Sequence, residues 1–67
     1  MVAIFVNGDR RMIESQTTLT DLLQQLNLNP KFLAVELNRR VIPRAEHIAT
    51  FLSADDQVEI VTLVGGG

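Results

Sequence analysis

The chain has no cysteine, no tryptophan and no tyrosine, and only three phenylalanines. Without cysteine it has no disulfide bond, no thiolate ligand for a metal and no cysteine nucleophile. Hydrophobic residues nevertheless make up 46% of the 67 residues, so the core should consist of valine, isoleucine and leucine. A single small domain that depends on aliphatic packing for its stability is therefore expected.

The sequence also lacks an excess of positive charge and any long apolar segment. Six lysines and arginines stand against eight acidic residues, which gives a net charge of −2 and argues against nucleic-acid binding. Apolar runs such as Val2–Val6 are too short to span a membrane, and the N-terminus does not resemble a secretory signal. We expect a soluble cytoplasmic protein.

The first half of the chain is predicted to form two strands and a helix. Val2–Val6 is rich in β-branched residues and meets Asn7-Gly8, a dipeptide typical of tight hairpins, so Arg10–Glu14 should be the returning strand. Thr18 can cap a helix whose first turn contains Asp21. Four leucines at positions i, i+3, i+4 and i+7 form one face of that helix: Leu19, Leu22, Leu23 and Leu26.

The second half is predicted to consist mainly of strands. The segment 27–30 ends the helix, and Pro43 confines the second of the next two strands to a sheet edge. The predicted elements are a strand at 32–37, a turn at 38–40, a short strand at 41–42, a short helical turn within 44–52, a turn at 54–56 and a last strand at 57–64.

These elements predict an α+β fold in which the helix covers one face of a mixed sheet of four to five strands, within a domain at 1–64. If the first and last strands are central neighbours, alternation directs one apolar set toward the helix: Val2, Ile4, Val6, Val58 and Ile60. Phe5, Val61 and Leu63 then lie on the uncovered face. We predict that these three form a docking surface for a partner, the alternative being ordinary scattered apolar residues.

Gly65, Gly66 and Gly67 follow the last predicted strand. Because glycine has no Cβ, such a tail can enter a narrow channel and present a terminal carboxylate to a reactive group. We therefore predict a flexible tail at 65–67 with a function of its own. The alternative is a frayed terminus.

Several motifs, in this order, resemble the ThiS-type sulfur carriers, in the β-grasp group that also contains MoaD and ubiquitin. They are Asn7-Gly8, Leu19-x-x-Leu22-Leu23, Ala34–Asn38, Val41–Arg44 and Asp56-x-Val58–Val61 running into Val64–Gly67. The resemblance covers the whole chain. The family often has glycine where this chain has Asp55, and aspartate tolerates a left-handed turn conformation better than most residues. Three terminal glycines replace the minimal pair and match a common variant of the ending.

The resemblance implies a protein that is a substrate of other enzymes rather than an enzyme. A ThiF-like adenylyltransferase would use ATP to convert the Gly67 carboxylate to an acyl-adenylate, and a sulfur donor protein would then convert it to a thiocarboxylate. The thiazole synthase ThiG would receive the sulfur to form the thiazole of thiamin. The carrier itself would need no cofactor and no metal, and neither nucleic acid nor membrane is an expected partner.

Three alternatives share parts of this pattern. A MoaD-like carrier for molybdopterin synthesis would use the same chemistry, although the short length and the Pro43-Arg44 and Val64-Gly65 contexts favour the ThiS type. A ubiquitin-like modifier would use the glycine carboxylate to form isopeptide bonds. A passive β-grasp interaction module would not need its tail.

The other polar residues carry weaker predictions. His47 is expected in a surface turn with a structural role. Four arginines at predicted turns should discourage edge pairing of strands, the alternative being contact with an acidic partner: Arg10, Arg11, Arg39 and Arg40. Arg44 belongs either to a structural ion pair or to a partner contact. Three acidic residues are expected to form a solvated acidic turn rather than a cation site: Asp55, Asp56 and Glu59.

Overall fold

The computed structural model describes residues 1–63, which contain five strands, one α-helix and two short 3-10 helices. The elements in chain order are β1 (Val2–Val6), β2 (Asp9–Ile13), α1 (Leu19–Gln25), the 3-10 helix Pro30–Phe32, β3 (Leu33–Leu37), β4 (Arg40–Val41), the 3-10 helix Arg44–Ala49 and β5 (Gln57–Thr62). The predicted α+β architecture is confirmed. Val64 and the predicted tail at 65–67 lie outside the described residues.

The five strands form one mixed sheet in the order β2-β1-β5-β3-β4. The first and last strands are parallel neighbours at its centre, with Val6 opposite Val58. The other pairs are antiparallel. This central pairing confirms the arrangement that the sequence predicts.

The core lies between this sheet and α1. Leu19, Leu22 and Leu23 are buried, and Leu26 packs against them. From the sheet, Ile4 and Val58 are buried, while three residues lie partly buried against the core: Val2, Val6 and Ile60. The predicted helix-facing set is therefore confirmed.

The predicted helix cap and turns form through local interactions. The Thr18 hydroxyl accepts a hydrogen bond from the Asp21 N–H, and the Asp21 carboxylate accepts one from the Thr18 N–H, each at 3.1 Å. Asn7 and Gly8 have φ angles of 50° and 87° in the first hairpin. Asp55 has φ of 68°, as expected for the residue that replaces a glycine in this turn.

The 3-10 helix Arg44–Ala49 confirms the helical turn predicted within 44–52, whereas the 3-10 helix Pro30–Phe32 is not predicted. β3 begins at Leu33 because Pro30 starts a 3-10 helix, capped by the Asn29 side chain, which accepts a hydrogen bond from the Lys31 N–H at 2.9 Å. The predicted surface position of His47 is wrong, since the residue is only 3% exposed. The helix Arg44–Ala49, which contains His47, packs against α1, and the ring Nε2 lies 3.0 Å from the Ile42 carbonyl oxygen.

Candidate partner-binding site

Three exposed apolar residues lie where the chain leaves the sheet. Val61 is 50% exposed on β5, and Leu63 is 61% exposed just beyond the end of that strand. The Leu63 N–H donates a hydrogen bond of 2.8 Å to the carbonyl of Phe32, which is 49% exposed. We call Phe32, Val61 and Leu63 the exit patch. Sequence analysis missed Phe32 because only the register of β3 against β5 brings it opposite Leu63.

Phe5 does not belong to the exit patch. It lies opposite Gln57 in the parallel pair of β1 and β5, six residues before Leu63. At about 3.3 Å per residue, this separation is roughly 20 Å. Phe5 is also half-buried, so the structure separates it from Val61 and Leu63 along the sheet, and the docking role of the three residues stays a prediction.

The Asn7 side chain continues the hydrogen bonding between β1 and β5 from Val58 to Ile60. The Asn7 backbone N–H donates to the Val58 carbonyl at 2.8 Å. Its side-chain oxygen then accepts from the Ile60 N–H at 2.7 Å, and its side-chain nitrogen donates to the Ile60 carbonyl at 3.2 Å. Beyond Ile60, only β3 pairs with β5 among residues 1–63. Asn7 therefore fixes the point at which β5 separates from its parallel neighbour.

Replacement of Asn7 by glycine is expected to lower the free energy of unfolding by about 1–3 kcal/mol. Glycine retains the positive φ of this position but makes the unfolded chain more flexible, so the effect of the two hydrogen bonds to Ile60 is the difference between Asn7→Gly and a matched asparagine-to-glycine control. Urea denaturation of the wild type and Asn7→Gly measures the difference. The matched control is Asn27→Gly, because Asn27 also has a positive φ, of 57°. This control should lower the free energy of unfolding by less than Asn7→Gly does.

The start of β5 is held by Asp56. One carboxylate oxygen accepts a hydrogen bond from the Asn38 side chain at 3.0 Å, and the other accepts from the Ser53 N–H at 2.7 Å. Its carboxylate thus joins two loops of the protein. Among residues 1–63, no group of three or more histidine and acidic side chains is arranged to hold a metal ion.

In the part of the chain that the structure describes, no helix is both long enough and apolar enough to cross a bilayer.

This fold is a ubiquitin-like β-grasp. It consists of a mixed sheet that packs on one helix, with β1 and β5 as parallel neighbours at the centre of the sheet. The family model described as "ThiS family" matches residues 2–67. The chain therefore belongs to the ThiS family of small sulfur carriers.

Similarity to individual proteins supports the same family. A crystal structure of the thiamine biosynthesis protein ThiS from Geobacter metallireducens superposes with a TM-score of 0.85 at 30% identity, covering 98% of this chain and all of that one. The uncharacterized protein ycf40 of Porphyra purpurea is 33% identical over 66 residues, which are 98% of this chain and 93% of that protein.

A third relative is much longer. A thiazole synthase of Magnetococcus marinus is 42% identical over 64 residues, which are 96% of this chain. The chain spans only 20% of that protein's length.

Proposed function

We propose that this protein carries sulfur for thiamin thiazole synthesis as a thiocarboxylate on Gly67. Its membership of the ThiS family supports sulfur carriage. The likeness to a thiamine biosynthesis protein and to part of a thiazole synthase supports the thiamin pathway over molybdopterin synthesis.

The chemistry needs a carboxylate and a partner that activates it. A ThiF-like adenylyltransferase transfers AMP from ATP to the Gly67 carboxylate and releases pyrophosphate. Hydrosulfide released by a donor protein then attacks the acyl carbon and displaces AMP, which leaves the thiocarboxylate without any change in oxidation state. The sulfur of this thiocarboxylate is the nucleophile that ThiG uses to form the thiazole. In this scheme the carrier supplies the acyl group, and the partner enzymes supply the ATP site and the proton transfers.

The position of the exit patch is the observation that carries this proposal. Leu63 precedes Gly67 by four residues, a span of at most about 14 Å in an extended chain. A partner that covers the exit patch is therefore within reach of the Gly67 carboxylate. An exposed apolar surface rimmed by polar residues is typical of protein interaction sites.

Charge placed on the exit patch is expected to impair activation. We predict that Val61→Glu/Leu63→Glu lowers kcat/KM for adenylation by about tenfold or more, because the partner interface would then bury two unpaired carboxylates. Both side chains are exposed, so the fold should persist. Pyrophosphate exchange with the ThiF-like enzyme measures the effect.

The matched control is Ile48→Glu/Phe51→Glu. Ile48 and Phe51 are 70% and 59% exposed, and they belong to the segment that packs near α1 rather than to the exit patch. This control introduces the same charges and should leave kcat/KM within about twofold of the wild type. Equal losses in the two double variants would contradict a role for the exit patch.

Intact mass spectrometry of the protein isolated with its native partners tests the function itself. The expected result is replacement of one oxygen by sulfur, localised to Gly67 by fragmentation. Co-purification with ThiG rather than with a molybdopterin synthase subunit would identify the pathway. Isopeptide conjugates to lysines would indicate a modifier, and an unmodified terminus despite an active ThiF-like partner would indicate a passive module.

A further inference from the structure

Asn7 is the one asparagine of the chain that precedes a glycine. The other three precede leucine, proline or arginine: Asn27, Asn29 and Asn38. The backbone nitrogen of the following residue can attack the side-chain carbonyl carbon of an asparagine and close a ring. A following side chain hinders this attack, whereas glycine has no Cβ, and proline has no N–H to lose. Ring closure is therefore least hindered at Asn7-Gly8.

The nucleophile of this reaction, the Gly8 nitrogen, is free and accessible. Among residues 1–63, no backbone carbonyl accepts a hydrogen bond from the Gly8 N–H. Asn7 and Gly8 are both exposed, and, apart from Gly8 and its chain neighbours, no atom lies within 4 Å of the point that a Cβ on Gly8 would occupy. Water and hydroxide therefore reach the N–H that must be deprotonated.

The side chain that must be attacked is held on β5. Its oxygen accepts from the Ile60 N–H at 2.7 Å, and its nitrogen donates to the Ile60 carbonyl at 3.2 Å. Ile60 is 53 residues away in the sequence, so neither bond forms in the unfolded chain. While both bonds last, the side chain is not free to turn its carbonyl carbon toward the Gly8 nitrogen. Local opening between the hairpin and β5 is therefore the step that makes Asn7 reactive.

We propose that Asn7 is a site of spontaneous deamidation, that its two hydrogen bonds to Ile60 protect it, and that the isoaspartate product loosens β5 from β1. The deprotonated Gly8 nitrogen attacks the side-chain carbonyl carbon of Asn7. The bond from this carbon to the side-chain nitrogen breaks, and that nitrogen takes up a proton and leaves as ammonia. Water then opens the cyclic imide at either carbonyl, which gives aspartate or isoaspartate at position 7. No atom changes its oxidation state.

Isoaspartate at position 7 does not keep both contacts with Ile60. Its main chain runs through the former side-chain carbonyl, which adds a methylene group to the tight turn between β1 and β2. The free carboxylate has acceptor oxygens but no N–H, so the Ile60 carbonyl loses its donor. Because Asn7 fixes the point at which β5 separates from β1, the product weakens the attachment of the strand that leads to the exit patch.

The test follows deamidation of the purified full chain at one mildly alkaline pH, in water enriched in heavy oxygen, so that ring opening labels the product. Peptide mapping locates the label, and the same incubation in guanidinium chloride gives the rate for the unfolded chain. We expect the label at Asn7 and not at Asn27 or Asn38, with a rate about tenfold or more lower in the native protein. Absence of label at Asn7 in the unfolded chain would overturn the site. Equal rates in the two states would overturn the protection.

Leu22→Ala gives the same comparison without denaturant. Leu22 is buried in the core and lies outside the hairpin, and its truncation raises the unfolded population. This variant should deamidate at Asn7 several-fold faster than the wild type, whereas Gln24→Ala, exposed on the same helix, should keep the wild-type rate. A wild-type rate in a Leu22→Ala sample that circular dichroism shows to be partly unfolded would contradict protection by the fold.

The effect of the product is measured on the aged protein itself. The deamidated fraction carries an additional negative charge and separates by ion exchange, and Asn7→Asp introduces that charge without the added methylene group. We expect the isoaspartate fraction to unfold at a lower denaturant concentration than both Asn7→Asp and the fresh protein. Unfolding of this fraction together with the fresh protein would overturn the proposed loosening of β5. Neither a partner enzyme nor the tail takes part, so these results are independent of the proposed function.

Discussion

Removal of Gly67 is expected to abolish ATP-dependent activation of this protein, by about a hundredfold or more in kcat/KM. The reacting carboxylate would move one residue nearer to the domain, and a shift of one residue, about 3.5 Å, takes it out of line with a bound nucleotide. The free energy of unfolding should not change, because the core residues that the structure describes all precede Gly67 in the chain. Pyrophosphate exchange and urea denaturation measure the two quantities.

A bulky residue within the tail tests the same hypothesis without changing its length. Gly66→Leu retains the terminal carboxylate on Gly67 but adds a side chain that a narrow channel cannot accept. We expect a similar loss of activation. Ala49→Leu, at an exposed position on the domain, also creates a leucine but away from the tail, and it should react like the wild type. Normal adenylation of Gly66→Leu would show that the partner does not need a glycine tail.

Leu22→Ala is expected to destabilise the fold by about 2–5 kcal/mol, the range found for buried leucines. Leu22 is fully buried between α1 and the sheet, so truncation leaves a cavity in the only core that the described residues form. A 67-residue domain has little stability to spare. Much of the variant should therefore be unfolded at physiological temperature, as circular dichroism and urea denaturation would show.

Gln24→Ala is the control for that substitution. Gln24 lies on the exposed side of the same helix, and alanine has a higher helix propensity than glutamine. Its stability should stay within about 0.5 kcal/mol of the wild type. If Leu22→Ala unfolded at the same denaturant concentration as Gln24→Ala, the leucine face of α1 would not be the main contribution to the core.

The two sets of variants also separate folding from function. Tail variants should fold normally and fail in activation, whereas the core variant should lose activation only in proportion to its unfolded fraction. Measurement of both quantities on every variant therefore distinguishes a lost site from a lost fold.

The sequence determined the elements whose signals are local. The leucine spacing predicts the buried face of α1, and Thr18 with Asp21 predicts its cap, because these residues interact within one or two turns. Asn7-Gly8 predicts the first hairpin, and Asp55 keeps the left-handed turn expected of it. The terminal glycines and the ordered motifs also indicate the ThiS family, because these signals do not depend on any tertiary contact.

Only the tertiary structure decided which distant residues meet. The register of β5 places Phe5 opposite Gln57 and Phe32 opposite Leu63, which separates Phe5 from the exit patch and adds Phe32 to it. The hydrogen bonds from Asn7 to Ile60 and the burial of His47 are likewise results of packing. Alternation along a strand specifies the face of each side chain, but the register depends on contacts between residues far apart in sequence, and no single segment encodes them.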